Sequence, residues 1–297
     1  MKIAITGGSG FIGTKLTEYF IEHGHRVVVL DLVPPRLQGE GVLYIRTNLI
    51  DDIPKDALAT VDAIIHLAGV NIFGRWTEDY KKKIIESRIA TGKALLATIR
   101  SLALKPKVFV SASAVGYYGD GGEKELTEDA PVGNDFLAKV CGEWEALGQE
   151  VNDLGMRFVA VRTGIVIGKN GGMLAKLLPL FKFGLGGSMG TGEQWFSWVA
   201  LSDLVRIYAE AVDNERLNGP VNAVAPTPVR NRELAQAIAR SVHRFALLRV
   251  PAFLLHRVLG ELAGVIVMSQ RVIPKKLEEQ SFVFNCRTLN EALKESI

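Results

Sequence analysis

The feature that most constrains the fold is a glycine-rich turn near the start of the chain. Residues 2–6 form an apolar segment, residues 14–23 have a helical pattern, and between them lie Gly7, Gly8, Ser9, Gly10, Phe11, Ile12 and Gly13. Glycines let the backbone approach a pyrophosphate, and the N–H groups at a helix N-terminus hold its negative charge. A second apolar segment ends at Asp31, where an acid is expected to bond the adenosine ribose. The pattern predicts a dinucleotide site.

Short β-branched segments alternate with longer helical patterns over the first two-thirds of the chain. Buried parallel strands are predicted at residues 63–68, 107–111 and 157–162, and helices at about residues 78–102 and 135–154. This alternation is typical of an α/β Rossmann fold, a doubly wound parallel sheet that is covered on both faces. Ligands bind such sheets beyond the carboxyl ends of the strands, so the loops after the strands carry the most information.

The sequence changes character after Arg162, where glycine-rich loops, an aromatic-rich segment and proline-punctuated short helices follow. We predict an NAD(P)-binding Rossmann domain in residues 1–163, to which residues 199–223 return. A small α-rich C-terminal substrate lobe is expected from residues 164–198 and 224–297.

Composition restricts the class of partner. The net charge is +3 and the basic residues are spread along the chain, so no nucleic-acid partner is expected. Cys141 and Cys286 are far apart and the five histidines lack ligand spacing, which predicts reduced thiols and no metal site. With an apolar strand from residue 2 and its longest apolar stretch at residues 262–268, the chain is expected to be cytoplasmic, without a signal peptide or a membrane partner.

Several segments resemble the extended or atypical short-chain dehydrogenase/reductase superfamily, and within it the NAD(P)-dependent epimerase/dehydratase family and its YfcH-type epimerase-family branch. Besides the glycine turn, the resemblance lies in residues 75–77, 111–119, 162–168, 184–198, 228–231 and 270–274. It implies a Rossmann sheet with a small C-terminal lobe and a cofactor that is NAD or NADP. Homodimers that form through two long helices are common in this superfamily, so a homodimer is a further expectation.

Asp31 bears on the choice of cofactor, because a carboxylate at this position bonds the ribose of NAD and repels the extra phosphate of NADP. NAD is therefore favoured, although relatives in this branch often carry Ser-Arg or Thr-Arg here and bind NADP. Arg36 is near enough in sequence to bind that phosphate, and Asp31 is alternatively a solvated acid at a strand end.

Other residues are expected at the cofactor. Small residues after the fourth strand would let the cofactor lie against the backbone or would simply form a tight turn, and Arg88 would either reach a phosphate or be an exposed helical arginine. The further candidate cofactor residues are Leu67, Ala68, Gly69, Arg88, Ser111, Lys139 and Arg162.

The chemical step is the weakest part of the resemblance. The superfamily passes a proton through a tyrosine that is followed four residues later by a lysine. Lys139 matches that lysine, but Asp135 stands where the tyrosine belongs. Tyr117 is an alternative proton donor, whereas Asp135 is either an acid/base group or a helix N-cap. Ser113 matches the catalytic serine, with Ser111 as its alternative.

Substrate residues are expected around the glycine-rich loop of residues 184–192, which would close over a planar or sugar-like ligand. Tyr118 is counted here, although the Tyr-Gly pair that it forms is structural in many relatives. Phe196 is expected in the core, and Arg230 faces either an anionic group or water. The candidate substrate residues are Trp76, Tyr118, Gly190, Trp195 and Trp198.

The sequence thus predicts an oxidoreductase or epimerase that transfers a hydride to or from a small, possibly sugar-like substrate. The alternatives are a non-catalytic nucleotide-binding protein that senses redox state or docks a partner, and a dehydratase or isomerase without net cofactor turnover. A proton donor beside the nicotinamide would favour catalysis, and wholly apolar surroundings would favour sensing.

Overall fold

The computed structural model describes residues 1–51 and 53–297. Its first half contains β1 (Lys2–Thr6), α1 (Phe11–Glu22), β2 (Arg26–Asp31), β3 (Val42–Arg46), α2 (Lys55–Leu58), β4 (Ala63–His66), α3 (Glu78–Ser101), β5 (Val108–Ala114), β6 (Glu125–Leu126), α4 (Phe136–Gln149) and β7 (Arg157–Thr163). Its second half contains β8 (Ile165–Ile167), α5 (Gly172–Lys182), β9 (Gly187–Met189), β10 (Trp195–Phe196), β11 (Trp198–Ala200), α6 (Leu201–Asp213), β12 (Gly219–Ala223), β13 (Val229–Arg230), α7 (Asn231–Ser241), β14 (Leu248–Val250), α8 (Ala252–Leu259), α9 (Leu262–Val267), β15 (Arg271–Val272), α10 (Lys275–Glu279) and α11 (Leu289–Ser296). Short 3₁₀ helices follow β5 at Val115–Tyr118 and α4 at Glu150–Leu154.

Seven parallel strands form the central sheet, in the order β12-β7-β5-β4-β1-β2-β3. The strands are apolar because helices cover both faces of the sheet. Helices α1 and α6 bury one face through Leu16, Phe20 and Tyr208, while α2 and α3 bury the other through Leu58 and Leu95. The predicted Rossmann α/β fold is confirmed.

A second cluster of buried side chains lies outside this sheet. It joins α5, α7 and α11 to the short strands β8, β10 and β11, around Phe181, Trp198 and Ile238. Strand β15 pairs with β6 in the loop that follows β5, so this lobe is tied to the carboxyl end of the sheet. In the part of the chain that the structure describes, every helix is too short or too polar to cross a membrane.

One face of the sheet carries a row of polar side chains near the carboxyl ends of its strands. In β-sheet register, Thr6 pairs with His66 and His66 with Ser111. Two residues further along the strands, Ser113 pairs with Arg162 and Arg162 with Asn222. Alternate residues of a strand share a face, so these polar groups all point toward the side covered by α3 and α4.

His66 is the buried centre of the first part of this row. Its Nδ1 lies 2.7 Å from Thr6 Oγ1, and its ring is 1% exposed. Burial lowers the pKa of His66 to about 3, and the nearby Arg88 guanidinium lowers it further. The imidazole is therefore neutral in the folded protein across the physiological range.

A pH dependence of folding stability follows. The unfolded chain takes up a proton at its ordinary histidine pKa, whereas the folded chain does not until about pH 3. The free energy of unfolding is therefore highest above about pH 7. It falls by about 3 kcal/mol as the pH is lowered to about 4, because only the unfolded chain binds the proton in this range. Denaturant unfolding at several pH values should show a shallower acid decline for His66→Asn than for the native chain. The exposed His243→Asn substitution should keep the native pH profile, and parallel profiles for all three proteins would contradict the assignment.

Candidate dinucleotide site

The glycine turn between β1 and α1 is built for close approach to a ligand. Gly7 has a φ of +70°, and a Cβ there would lie 3.0 Å from the backbone nitrogen of Ala68. A Cβ on Gly13 would collide with the carbonyl oxygen of Gly7. No side chain caps the N-terminus of α1, where Gly10 is the N-cap residue. The first N–H groups of α1 are thus available to bind an anion, and the glycines of the turn let that anion approach the backbone closely.

The hydrophobic residues of the turn anchor it. Phe11 lies against Gly168 and Gly171 in the loop after β8, and Ile12 packs against the core beneath α1. Ser9 Oγ donates a hydrogen bond to the carbonyl of Val33. The turn is therefore fixed both to the sheet and to the loop that follows β2.

Asp31 ends β2 beside the turn. Its carboxylate accepts hydrogen bonds from the backbone N–H of Ser9 at 3.1 Å and of Leu32 at 2.7 Å. Arg46, exposed at the end of β3, pairs in register with Asp31, and Arg36 is exposed in the loop after β2. One fixed carboxylate and two exposed guanidiniums thus share this edge of the site.

The loop after β4 closes the other side of the turn. Leu67 donates its N–H to the carbonyl of Thr6, and the Ala68 N–H reaches Thr6 Oγ1. Gly69 lies against the Arg88 side chain, whose guanidinium donates to the carbonyls of Val70 and Ile84. Arg88 is therefore half-buried and not an exposed helical arginine: its guanidinium holds the β4 loop to α3 and lies over the ring of Trp144.

A buried ion pair joins α4 to the carboxyl end of the sheet. Arg162 donates to both carboxylate oxygens of Glu145, at 2.9 and 2.8 Å, and the two side chains are only 3% and 5% exposed. Ser113 Oγ also donates to Glu145, at 2.6 Å. Glu145 raises the pKa of Arg162 above its usual range, against the effect of burial. The structure thus places Arg162, expected at the cofactor, inside a buried pair instead.

The two tyrosines after β5 have different surroundings. Tyr118 is buried, accepts a hydrogen bond from Arg162 and donates to Asn222 Oδ1 at 2.6 Å. Burial raises its pKa to about 12, and its hydroxyl is hydrogen-bonded to two buried side chains of the protein. Tyr117 is half-buried, and its ring stacks on the Arg162 guanidinium at 3.5 Å. Of the two, Tyr117 is the more exposed.

Helix α4 presents a different face to the sheet than expected. Leu137, Cys141 and Glu145, spaced four residues apart, are buried, whereas Lys139 is exposed. Lys139 therefore points to solvent, about half a turn away from the residues that face β5. Asp135 Oδ1 accepts a hydrogen bond from the Ala138 N–H, which confirms its alternative role as the helix N-cap.

The helix face that would carry a Tyr-x-x-x-Lys pair has Leu137 and Cys141 at that spacing. Burial raises the pKa of the Cys141 thiol to about 11, and Arg88 and Ser113 lie within interaction range of it. Leucine exchanges no proton, and a thiol with so high a pKa is protonated at neutral pH. Helix α4 thus lacks both groups of the usual proton-transfer pair.

Several other predicted residues lie in the core. Ser111 is 1% exposed and its hydroxyl donates to the carbonyl of Ala112. Trp198, also 1% exposed, donates Nε1–H to Thr227, and Trp76 packs edge-on against Phe136. These three side chains are structural because burial and satisfied hydrogen bonds leave nothing for a ligand. Phe196 is buried in the core as predicted.

Of the two remaining predicted substrate residues, Trp195 is partly exposed and Gly190 is buried. Trp195 is half-buried, donates Nε1–H to Glu123 and lies under the Arg230 guanidinium at 3.8 Å. Arg230 is thus paired with Glu123 rather than free. Gly190, with a φ of +60°, donates its N–H to the carbonyl of Val250. Among the described residues, no three His, Cys, Asp or Glu side chains are arranged to bind a metal ion.

The sequence interpretation missed Glu145 and Cys141, although the signal was available. On a helical wheel, Lys139 shares a face with Glu143 and Ala146, and all three are exposed. The apolar residues of α4 recur at positions 137, 140, 141, 144 and 148, and the buried Glu145 lies on the same side of the helix. This periodicity predicts that Lys139 faces solvent, although Lys139 matches the motif.

The buried pair gives a stability prediction. Glu145→Gln leaves the Arg162 charge buried without its partner, so we expect a loss of about 3 to 5 kcal/mol in the free energy of unfolding. Glu145→Leu combined with Arg162→Met should recover most of that loss, because the two charges are removed together. Denaturant unfolding is the measurement. Arg100→Gln, which breaks the exposed pair with Glu150, should cost about 0 to 1 kcal/mol. Equal losses at the two pairs would contradict the buried role.

Comparison with known proteins agrees with this geometry. Residues 3–223 match the model of the NAD dependent epimerase/dehydratase family, and residues 250–296 match a domain of unknown function, DUF1731. The chain is 39% identical to epimerase family protein YfhF of Bacillus subtilis, over 100% of this chain and 98% of that one. It is 33% identical to human epimerase family protein SDR39U1, over the full length of both.

Solved structures show the same fold. The structure of human SDR39U1 isoform 2 with NADPH superposes with a TM-score of 0.88 at 31% identity, covering 99% of this chain and 98% of that one. MoeE5 in complex with UDP-glucuronic acid and NAD superposes with a TM-score of 0.82 at 19% identity, covering 100% and 97%. Because the matching family is NAD dependent, the prediction of a nicotinamide cofactor is confirmed. The chain belongs to the NAD-dependent epimerase/dehydratase family.

Proposed function

We propose that this protein is an oxidoreductase or epimerase that binds a nicotinamide dinucleotide across the carboxyl ends of β1, β4 and β5. The observation that carries the proposal is the side-chain-free approach at Gly7 and Gly13 to the uncapped N-terminus of α1. The dinucleotide supplies hydride transfer at a carbonyl or hydroxyl carbon. The substrate is a small molecule that enters between the sheet and the lobe.

The residues of this chain divide the binding between them. The α1 N-terminus holds the pyrophosphate, Asp31 accepts hydrogen bonds from the adenosine ribose, and the Leu67–Gly69 backbone borders the adenosine side of the cofactor. Asp31 is held in place by two backbone N–H groups, so its negative charge stays at the ribose edge. This charge favours NAD, while Arg36 and Arg46 are the groups available to an additional phosphate.

Proton transfer falls to Tyr117 because α4 carries Leu137 and Cys141 in place of the usual pair. Arg162 holds the Tyr117 ring by stacking, and Glu145 holds Arg162. Tyr117 exchanges the proton with the substrate oxygen, and Ser113 positions the site through Glu145. Trp195 offers an aromatic surface to the substrate at the edge of the lobe.

A second candidate function is supported by the presence of Leu137 and Cys141 in place of the usual tyrosine and lysine. A site whose helix face carries Leu137 and Cys141 has little proton-transfer capacity, which favours a protein that binds the dinucleotide to sense redox state. Tyr117 distinguishes the two candidates, because only catalysis needs its hydroxyl.

Cofactor choice can be tested by titrating NADH and NADPH and recording energy transfer from tryptophan. We expect tighter binding of NADH, and about a tenfold loss of NADH affinity with a gain for NADPH in Asp31→Ser, since hydrogen bonds to a charged group are worth about 1.5 to 3 kcal/mol. Glu22→Gln, which removes an exposed acid at the far end of α1, should leave both affinities unchanged. Tighter NADPH binding by the native chain would assign the choice to Arg36 or Arg46.

The chemical role of Tyr117 can be tested with a panel of aldehydes, ketones and nucleotide sugars, following cofactor oxidation or product isomers. For any substrate found, Tyr117→Phe should lower turnover about 100-fold or more, as expected for a lost general acid, with cofactor affinity unchanged. Tyr80→Phe, which removes a phenol bonded to the Asn71 carbonyl, is the matched control and should keep full turnover. Turnover that survives in Tyr117→Phe would exclude this phenol as the donor, and tight cofactor binding without turnover of any compound would favour the sensor.

A further inference from the structure

The C-terminal lobe exposes a group of large apolar side chains that no part of the site described above uses. Phe183 and Leu185 follow α5, Phe245 and Leu247 precede β14, and Phe253 and Val258 lie on α8. These six side chains, here called the apolar face, are between 60% and 86% exposed. Exposed apolar surface of this extent in one region marks an interaction site.

Backbone contacts bring the three segments of the apolar face together. Strand β14 pairs with β9, so Leu248 lies opposite Gly187, two residues past Leu185. Arg244 Nε donates to the carbonyl of Lys182, which fixes the start of the second segment to the end of α5. Helix α8 begins at Ala252, with its N-cap residue Pro251 directly after β14. The three segments that carry the apolar face are therefore adjacent in the lobe.

The segments that carry the apolar face are basic, and the nearest acidic residues along the chain, Glu193, Glu233 and Glu261, lie just beyond their ends. Residues 169–192 contain three lysines, residues 234–260 contain four arginines, and neither segment contains Asp or Glu. Arg244 and Arg249 donate to the backbone carbonyls of Lys182 and Gly190, contacts that leave their positive charges in place. Protruding aromatic and leucine side chains among arginines and lysines are typical of protein surfaces that insert into anionic membranes.

The same charge argues against a second copy as the occupant. A two-fold dimer sets the same patch on both subunits face to face, so the cationic segments would meet each other. An anionic bilayer meets both requirements at once, because its surface attracts the arginines and its acyl boundary takes up the apolar side chains.

We propose that the apolar face docks this protein on an anionic phospholipid surface, with Phe183, Leu185, Phe245, Leu247, Phe253 and Val258 inserted among the acyl chains and the surrounding Arg and Lys residues at the headgroups. This role is separate from the proposed cofactor chemistry. The expectation that the protein has no membrane partner was based on the length of its apolar segments, and docking of this kind needs no spanning segment.

Vesicle flotation of the full-length protein tests the proposal. The native chain should float with vesicles of phosphatidylcholine and phosphatidylglycerol, and should remain behind with phosphatidylcholine alone. Leu247→Glu combined with Phe253→Glu should abolish flotation. Arg244→Gln and Arg257→Gln should each weaken vesicle affinity about fivefold, the ratio expected for one basic residue at an anionic surface.

The matched control is Leu104→Glu combined with Val283→Glu, which adds the same charge at two side chains that are 78% and 70% exposed elsewhere on the surface. It should float as the native chain does. Thermal unfolding should show that every variant folds, since each substituted side chain is already exposed.

Four outcomes would overturn the proposal: no flotation of the native chain with anionic vesicles, equal loss in the control pair, flotation that is lost with salt but unaffected by Leu247→Glu and Phe253→Glu, or a native dimer that those substitutions convert to a monomer. The third outcome would show that charge attraction alone binds the protein to vesicles. The fourth would assign the apolar face to contact with a second copy of the chain.

Discussion

The bidentate contact between Arg162 and Glu145 fixes the part of the molecule on which its chemistry depends. Taking two charges out of water is costly, and the pair is tolerated because nearly every polar atom around it is bonded: Ser113 donates to Glu145, and Arg162 donates to Tyr118 and the Glu128 carbonyl. The pair also sets geometry. It pulls α4 onto β5 and β7, and its guanidinium provides the surface on which the Tyr117 ring lies. A buried cation thus lies directly against the Tyr117 ring.

This arrangement explains why proton transfer would come from a loop rather than from α4. With Glu145 bound to the sheet, the residues one and two turns earlier, Cys141 and Leu137, must face β5, and neither is a useful proton donor. Tyr117 lies on the 3₁₀ turn after β5, over the Arg162 guanidinium. A substrate served by Tyr117 would therefore meet its proton donor from this turn and not from the helix.

The sequence predicted those features that depend on local backbone chemistry. The glycine turn, the apolar strands and the acid after β2 were all recognisable, because each reflects a steric or burial requirement of a few adjacent residues. The residues of the reaction site depend on helix rotation and on contacts distant in sequence. Lys139 has the expected four-residue spacing but does not lie on the buried face of α4. Trp198 was predicted to contact the substrate because aromatic residues near glycines occur both in lids and in cores. Arg162 and Glu145 are 17 residues apart, and their pairing follows only from the packing of α4 on β7.

The apolar face and the reaction site are connected by one segment of the chain. Helix α8 exposes Phe253 and Val258, while Leu259 at its end and Leu262 at the start of α9 pack in one cluster with Trp76 and Leu137. Lys81 on α3 is ion-paired with Glu261 between α8 and α9, which holds the segment to the sheet domain. A surface that drew Phe253 outward would therefore pull on a segment that packs against Trp76 and against Leu137 of α4.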